Sequence, residues 1–269
     1  DLRRHLADDA PIMISRLLAR LFGQGSDQRM PDALWQSTVD SLPFLTRLNE
    51  TELGRLRELA DAFLGEKEFT AVGGLELNDT ICASIAVQGC LPILKLGLDW
   101  YQGWVGIIVY PDEFVIPRSV QDEDGVVHEY DEVASGEAWG GGPLLISWRD
   151  VQMAGEGYNV VIHEFAHKLD MLNGEADGIP PLHTGMDRAA WVKTLDTAYD
   201  DFCQHVDAAE ASGAETEIDP YASEHPGEFF AVLSETLFED PALLARSYPQ
   251  LYRMLAEFYR IDPDDWLYR

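Results

Sequence analysis

Apolar residues recur along this chain first at helical spacing, then in short runs, then at helical spacing again. Leu2, Leu6, Ile12, Ile14, Leu17, Leu18, Leu21 and Phe22 give residues 2–22 a helical rhythm, which Gly23, Gly25 and Ser26 break. Pro31 opens a second helical stretch through Leu34, Trp35, Val39 and Leu42. Asn49, followed three residues later by Glu52, reads as an N-cap and predicts a helix over 50–64 with Leu53, Leu56, Leu59, Ala60 and Phe63 on one side. A run at 69–72 ends in a turn at Gly73 and Gly74, and residues 78–90 read as another helix. Runs rich in β-branched and aromatic residues at 105–110, 114–116, 126–128 and 143–148 predict a small sheet, with the acidic stretch 122–125 as a solvated hairpin tip. The run 142–148 fits two roles: a sheet edge that pairs with an extended peptide, or a plain core strand.

Residues 158–173 have a different texture. Val160, Val161, Ile162, Phe165, Ala166, Leu169, Met171 and Leu172 leave hardly any polar face, and Gly155, Gly157 and Gly174 are stop signals around them. A helix apolar nearly all round is a buried helix. This one carries His163, Glu164, His167 and Asp170, which are costly to bury without partners. His163 and His167 stand four apart and project from one face, giving the pattern H-E-x-x-H. Two such histidines suit two corners of a tetrahedral zinc site. Glu164, pointing beside the metal, suits a general base that takes a proton from zinc-bound water. Asp170 is placed to orient a ligand histidine. The plainer reading is a core helix with two hydrogen-bonded histidines; a metal satisfies these groups more economically.

A catalytic zinc site commonly has three protein ligands and leaves a fourth position for water. His183, in the Gly- and Pro-rich loop 174–185, and His205, on a helix predicted over 187–212, lack a supporting motif and read as non-ligands. The better source is 219–235, where Pro226 starts a helix and Glu228 falls in its first turn among Phe229, Phe230, Val232 and Leu233. Glu235, seven residues on and nearly on the same face, is the alternative ligand or an acceptor for a ligand histidine. Glu224 and His225 precede the helix and read as exposed.

Size and charge narrow the classes. At 269 residues the chain suits one large domain, or a domain with an appended helical part. Cys82, Cys90 and Cys203 form no C-x-x-C pair and predict reduced, buried thiols in a cytoplasmic protein. A formal net charge of −29, with 19 basic residues against 48 acidic, argues against direct nucleic-acid binding. The chain shows no signal-peptide pattern and no long apolar run, so a soluble protein without membrane attachment is expected.

Five stretches then carry a resemblance: Leu-Pro-Phe-Leu at 42–45, Gly-Gly-Leu-Glu-Leu at 73–77, Cys-Leu-Pro-Ile-Leu-Lys-Leu-Gly-Leu-Asp-Trp at 90–100, and the segments 161–170 and 221–235 around the two motifs. Through them residues 31–263 resemble the Mlc titration factor A family of zinc metallopeptidases, whose catalytic part is similar to the peptidase domain of anthrax lethal factor. The resemblance implies zinc on His163, His167 and Glu228, which decides for Glu228 over Glu235 as the ligand, with Glu164 as base and Tyr221 as a transition-state-stabilising tyrosine. It further implies aminopeptidase-like activity on small substrates and a Mlc-like transcriptional repressor as partner, linked to sugar-uptake regulation.

The expected fold is an α+β, zincin-like metallopeptidase: a small mixed sheet over the H-E-x-x-H helix, with helical N- and C-terminal parts. Residues 1–30 are read as a helical extension. Residues 31–269 are read as a single zincin-like domain: helical over 31–66, sheet-rich over 67–149, the metal helix over 155–173 and a helical half over 187–269, with the last helix near 249–261. The expected activity is hydrolysis of a peptide or protein substrate with one zinc ion (Zn2+) per chain, and Glu235 and Asp170 supporting the ligands. The alternative is a non-catalytic regulatory protein that sequesters a transcription factor. Glu164 and a three-ligand set speak against a purely structural metal, since structural sites are usually closed by four ligands. Trp266, Leu267 and Tyr268 either cover the cleft or merely pack.

Overall fold

The computed structural model describes residues 29–121 and 127–268. The helix expected over 2–22, the rest of the extension up to residue 28, and the acidic tip at 122–125 lie outside the described residues.

The first helices form where their caps stand. Helix α1 (Asp32–Asp40) precedes α2 (Glu50–Glu66), which begins on a capping box: Glu52 N donates to Asn49 Oδ1 at 3.0 Å, and Asn49 N donates to Glu52 Oε2 at 3.2 Å. Strand β1 (Glu68–Ala71) follows, then α3 (Asp79–Cys90), started by Asn78 Oδ1 accepting from Ile81 N.

Two β layers come next. Strand β2 (Gly106–Tyr110) lies parallel to β1 and to β6 (Leu144–Ser147), and β5 (Gly136–Ala138) runs antiparallel to β6, giving the order β1-β2-β6-β5. Alternation sets the faces: Ile107, Val109, Leu144 and Ile146 join the main core, whereas Leu145 turns the other way. There it meets Phe114 and Ile116 of the hairpin formed by β3 (Phe114–Gln121) and β4 (Val127–Ala134). The run containing Leu144 is therefore a core strand flanked on both sides. The edges are β1 and β5, and the three residues of β5 show no strand signal in the sequence.

After the short α4 (Trp148–Val151) comes α5 (Val160–Asp170), the H-E-x-x-H helix, all of whose residues are buried. It is shorter than the expected 155–173 because Asn159 caps it, Gly155 and Gly157 ahead of it have positive φ, and residues 171–173 tighten into a 3-10 turn. Phe165 anchors it among Phe63, Tyr101 and Trp104. A Cβ at Gly89 of α3 would run into the Phe165 ring, so glycine permits the two helices to approach.

The C-terminal half is helical: α6 (Arg188–Ser212), capped by Asp187, then α7 (Pro226–Glu239), α8 (Pro241–Ser247), α9 (Pro249–Tyr259) and α10 (Pro263–Tyr268). Trp266 is buried on Phe238, and its Nε1 donates to Leu237 O at 2.9 Å. It packs on the back of α7 and does not line the cleft described below. The chain is thus mixed α+β, dominated by helix, with a small mixed sheet.

Candidate active site

Two helices bring the three expected ligand side chains to one point. His163 and His167 come from α5 and Glu228 from the first turn of α7, after the 3-10 turn Pro220–Ser223. Helix α7 starts at Pro226, and a Cβ at Gly227 would strike Ala176 O, so the chain can pass the loop here because residue 227 has no side chain. His163 Nε2 lies 2.9 Å and His167 Nε2 3.0 Å from Glu228 Oε2, and the two ring nitrogens are 3.1 Å apart. Both histidines are buried, at 6% and 7% exposure. Among the described residues, this is the group of His, Cys, Asp and Glu side chains with metal-holding geometry.

The protonation pattern follows from the partners. His163 Nδ1 lies 2.6 Å from Glu235 Oε1, and a carboxylate can only accept, so Nδ1 donates and Nε2 is the nitrogen that offers its lone pair to a cation once its own proton is displaced. Burial works against a charged His163, but hydrogen bonds to Glu228 and Glu235 outweigh it and hold its pKa well above the ordinary histidine value. Burial raises the Glu228 pKa, yet the hydrogen bonds with His163 and His167 prevail and hold its carboxyl far below the usual range. The site attracts positive charge. Two imidazole nitrogens and a carboxylate oxygen converging on a buried point match the donor set of a zinc site.

Glu164 lines the same cleft, which has a volume of about 460 Å³. Its Oε2 is buried with no hydrogen-bond partner, and burial, opposed by His163 and His167, pushes its pKa up to about 7. A Cβ at Gly136 would overlap the Glu164 carboxylate, so edge strand β5 presses directly on this group. Tyr221 stands across the cleft, 46% exposed, its ring 6.0 Å from that of His163. Its turn is tied down at both ends: Tyr221 N donates to Asp219 Oδ1, and Tyr199 Oη and Cys203 Sγ donate to Ser223 O. Burial, then the nearby Glu228 charge, raise the Tyr221 pKa, so the hydroxyl keeps its proton.

Glu235 accepts from His163 as described, and its Oε2 accepts from Asn159 N at 2.8 Å. Asp170 makes no hydrogen bond to a histidine: its Oδ2 accepts from Gly178 N at 2.7 Å, while its Oδ1 and His167 Nδ1 are each buried without a partner. His183 and His205 are apart from the cluster: His183 Nε2 donates to Phe258 O, and His205 is exposed on α6. Glu224 and His225 are exposed, and His225 Nδ1 accepts from Gly227 N at the helix start. Cys82 and Cys90 are buried, Cys203 is half-buried, and all three are free thiols.

Four residues around the site escaped the sequence reading. Asn159 was visible as an N-cap signal ahead of an apolar run. Gly136, Glu239 and Lys168 act through contacts distant in sequence. Lys168 Nζ donates to Trp139 O, Gly142 O and Pro143 O, clamping the turn between β5 and β6, and burial pulls its pKa down to about 8. No helix among the described residues is long and apolar enough to cross a membrane.

The family model for glucose-regulated metallopeptidase M90 matches residues 20–260. The chain is 41% identical over 241 residues to the Mlc titration factor A of Salmonella arizonae, covering 88% of this chain and 94% of that protein. It is 40% identical over 249 residues to the Mlc titration factor A of Salmonella paratyphi B, covering 91% and 90% respectively. The same protein of Salmonella choleraesuis is 40% identical over 238 residues, covering 87% and 88%.

Proposed function

Because the chain belongs to the M90 family of glucose-regulated metallopeptidases, we propose that it is a zinc-dependent peptidase of zincin-like fold, with His163, His167 and Glu228 as ligands and Glu164 as general base. The observation that carries this reading is the convergence of His163 Nε2, His167 Nε2 and Glu228 Oε2 beside the unpartnered Glu164 Oε2. Three lone-pair donors facing one another need a cation, and the set suits zinc. When bound, zinc supplies Lewis acidity, polarising the scissile carbonyl and making a water in the cleft more acidic.

The remaining work falls to the chain itself. Glu164 takes the proton of the attacking water on Oε2 and returns it to the leaving amine. A carboxyl whose pKa burial has raised to about 7 can hold that proton between the two transfers. Tyr221, kept protonated, donates its hydroxyl to the developing oxyanion, a contact whose removal costs about 100- to 1000-fold in rate. Glu235 fixes His163 in the tautomer that presents Nε2 to the site. Asp170 and His167, three residues apart on one helix, make no bond to each other, and Asp170 supports His167 through its nearby charge alone. Aminopeptidase-like cleavage of small peptides is the expected activity, with residues 31–269 acting as one domain in the cytoplasm, where free thiols persist.

Glu164→Gln tests the base. It is expected to abolish cleavage of aminoacyl and dipeptide reporters while zinc content stays at the parent level; retained cleavage would remove Glu164 from the mechanism. The name of the relatives, Mlc titration factor A, supports a second role, binding of a Mlc-like transcriptional repressor, with control of sugar uptake as what the resemblance implies. The same variant separates the roles: repressor binding measured by titration is expected to survive in Glu164→Gln. Repressor binding by a parent that cleaves no peptide would favour the purely regulatory binding protein.

A further inference from the structure

The residue that starts the metal helix commits every polar atom it has. Asn159 is 0% exposed. Its Oδ1 accepts from Ile162 N at 2.9 Å and its carbonyl from His163 N at 3.0 Å, as a helix N-cap does. Its two donors reach across to α7: the main-chain N–H to Glu235 Oε2 at 2.8 Å, and Nδ2 to Glu239 Oε1 at 3.0 Å. The Glu239 carboxylate also accepts from Gly155 N at 2.8 Å and Gly157 N at 3.3 Å, and so holds the approach to α5 as well.

Capping alone does not call for this. A serine in place of Asn159 would satisfy Ile162 N, and burying the carboxylates of Glu235 and Glu239 is costly unless donors are provided. The donors are provided, and they form one chain: Glu239 to Asn159 Nδ2, Asn159 N to Glu235, Glu235 to His163 Nδ1. Glu228, Glu235 and Glu239 all come from α7, so a single helix supplies the ligand carboxylate, the acceptor that orients His163, and the acceptor that holds the residue behind it. Arg47 Nη2 donates to Glu239 O at 3.0 Å and ties the far end of the chain to the N-terminal helices.

We infer that Asn159 and Glu239 are positioning residues for the metal site: their bond holds Glu235 and the first turn of α5 so that His163 Nε2 faces His167 and Glu228. Neither lines the cleft or belongs to the ligand set. The inference rests on the zinc site of the peptidase reading, and adds to it two residues that act through Glu235.

The test uses the full chain as parent, Asn159→Ser, Glu239→Ala, which removes the acceptor, and the double variant. Each is loaded with zinc, the rate at which a chromogenic chelator withdraws the metal is measured, and the thermal midpoint of the metal-free form is recorded. Serine keeps the cap and deletes the Nδ2 donor. Loss of an acceptor that directly orients a ligand typically costs 10- to 100-fold in metal affinity, so one bond further out each single variant is expected to release zinc about 3- to 10-fold faster. The double variant is expected to fall short of the product of the two, because both changes break the same bond. A lower metal-free midpoint with parent-like zinc release would make the pair merely structural and overturn the inference, leaving the peptidase reading intact. A parent that takes up no zinc would overturn both.

Discussion

Gly136 shows how narrowly the site is built. A methyl group there would fall on the Glu164 carboxylate and force it to swing away from its present position into the cleft. Gly136→Ala is therefore expected to lower kcat/KM for a peptide reporter by about 100-fold, the scale of a displaced acid–base group, with zinc content unchanged by elemental analysis. Parent-like cleavage would show that Glu164 does not need its present position. The individual side chains were unequally legible. His163, Glu164 and His167 declare themselves because their spacing is the spacing of a helix face and their neighbours are apolar. Glu228 and Glu235 have the same periodicity on the same helix, so spacing alone left both open as ligands. In the structure, Glu228 sits against both Nε2 atoms and Glu235 against His163 Nδ1. Gly136 and Lys168 have no local signature, since what defines them is a neighbour far along the chain.

At the scale of elements, the capped helices were the readable ones. The box formed by Asn49 and Glu52 and the caps Asn78 and Asp187 start α2, α3 and α6 where those residue types stand. Asn49→Ala is expected to destabilise the protein by about 1 kcal/mol, seen as a lower denaturant midpoint with unchanged cleavage by the native enzyme; an unchanged midpoint would mean that packing of Leu56, Leu59 and Phe63 alone sets this helix. Strands were harder. Residues 144–146 are all apolar, and Ser147 is buried with them, because the strand is covered on both faces, a pattern that fits an edge and a core strand alike. The edge strand next to it, β5, is three residues long, contains a glycine, and owes its place to pairing with β6 and to Lys168 holding the turn between them. Such a strand is specified by tertiary contacts, and alternation cannot reveal it. The hairpin β3–β4 extends beyond the expected runs because an exposed pair of strands can carry Pro117, Asp131 and Glu132, residues that a core strand excludes.

For the whole molecule, the succession of textures in the sequence anticipates the architecture: helical residues ahead of a small sheet, a buried helix, then a helical half. One hydrophobic core runs from Met30 to Trp266, joining the elements on both sides of α5. That continuity explains how residues as distant along the chain as Asn159 and Glu239 come to be bonded beside His163 and Glu235. The net charge of −29 sets solubility and repulsion from polyanions and says little about the chemistry, which lies in a small buried cluster. The most direct measurement is the zinc content of the purified parent chain and of Glu228→Ala, by elemental analysis after both are supplied with zinc and desalted. About one zinc per parent chain and a marked loss in the variant is the predicted result. A parent without metal, or a Glu228→Ala variant that keeps a full zinc, would contradict the assignment of His163, His167 and Glu228 as the ligands of a peptidase.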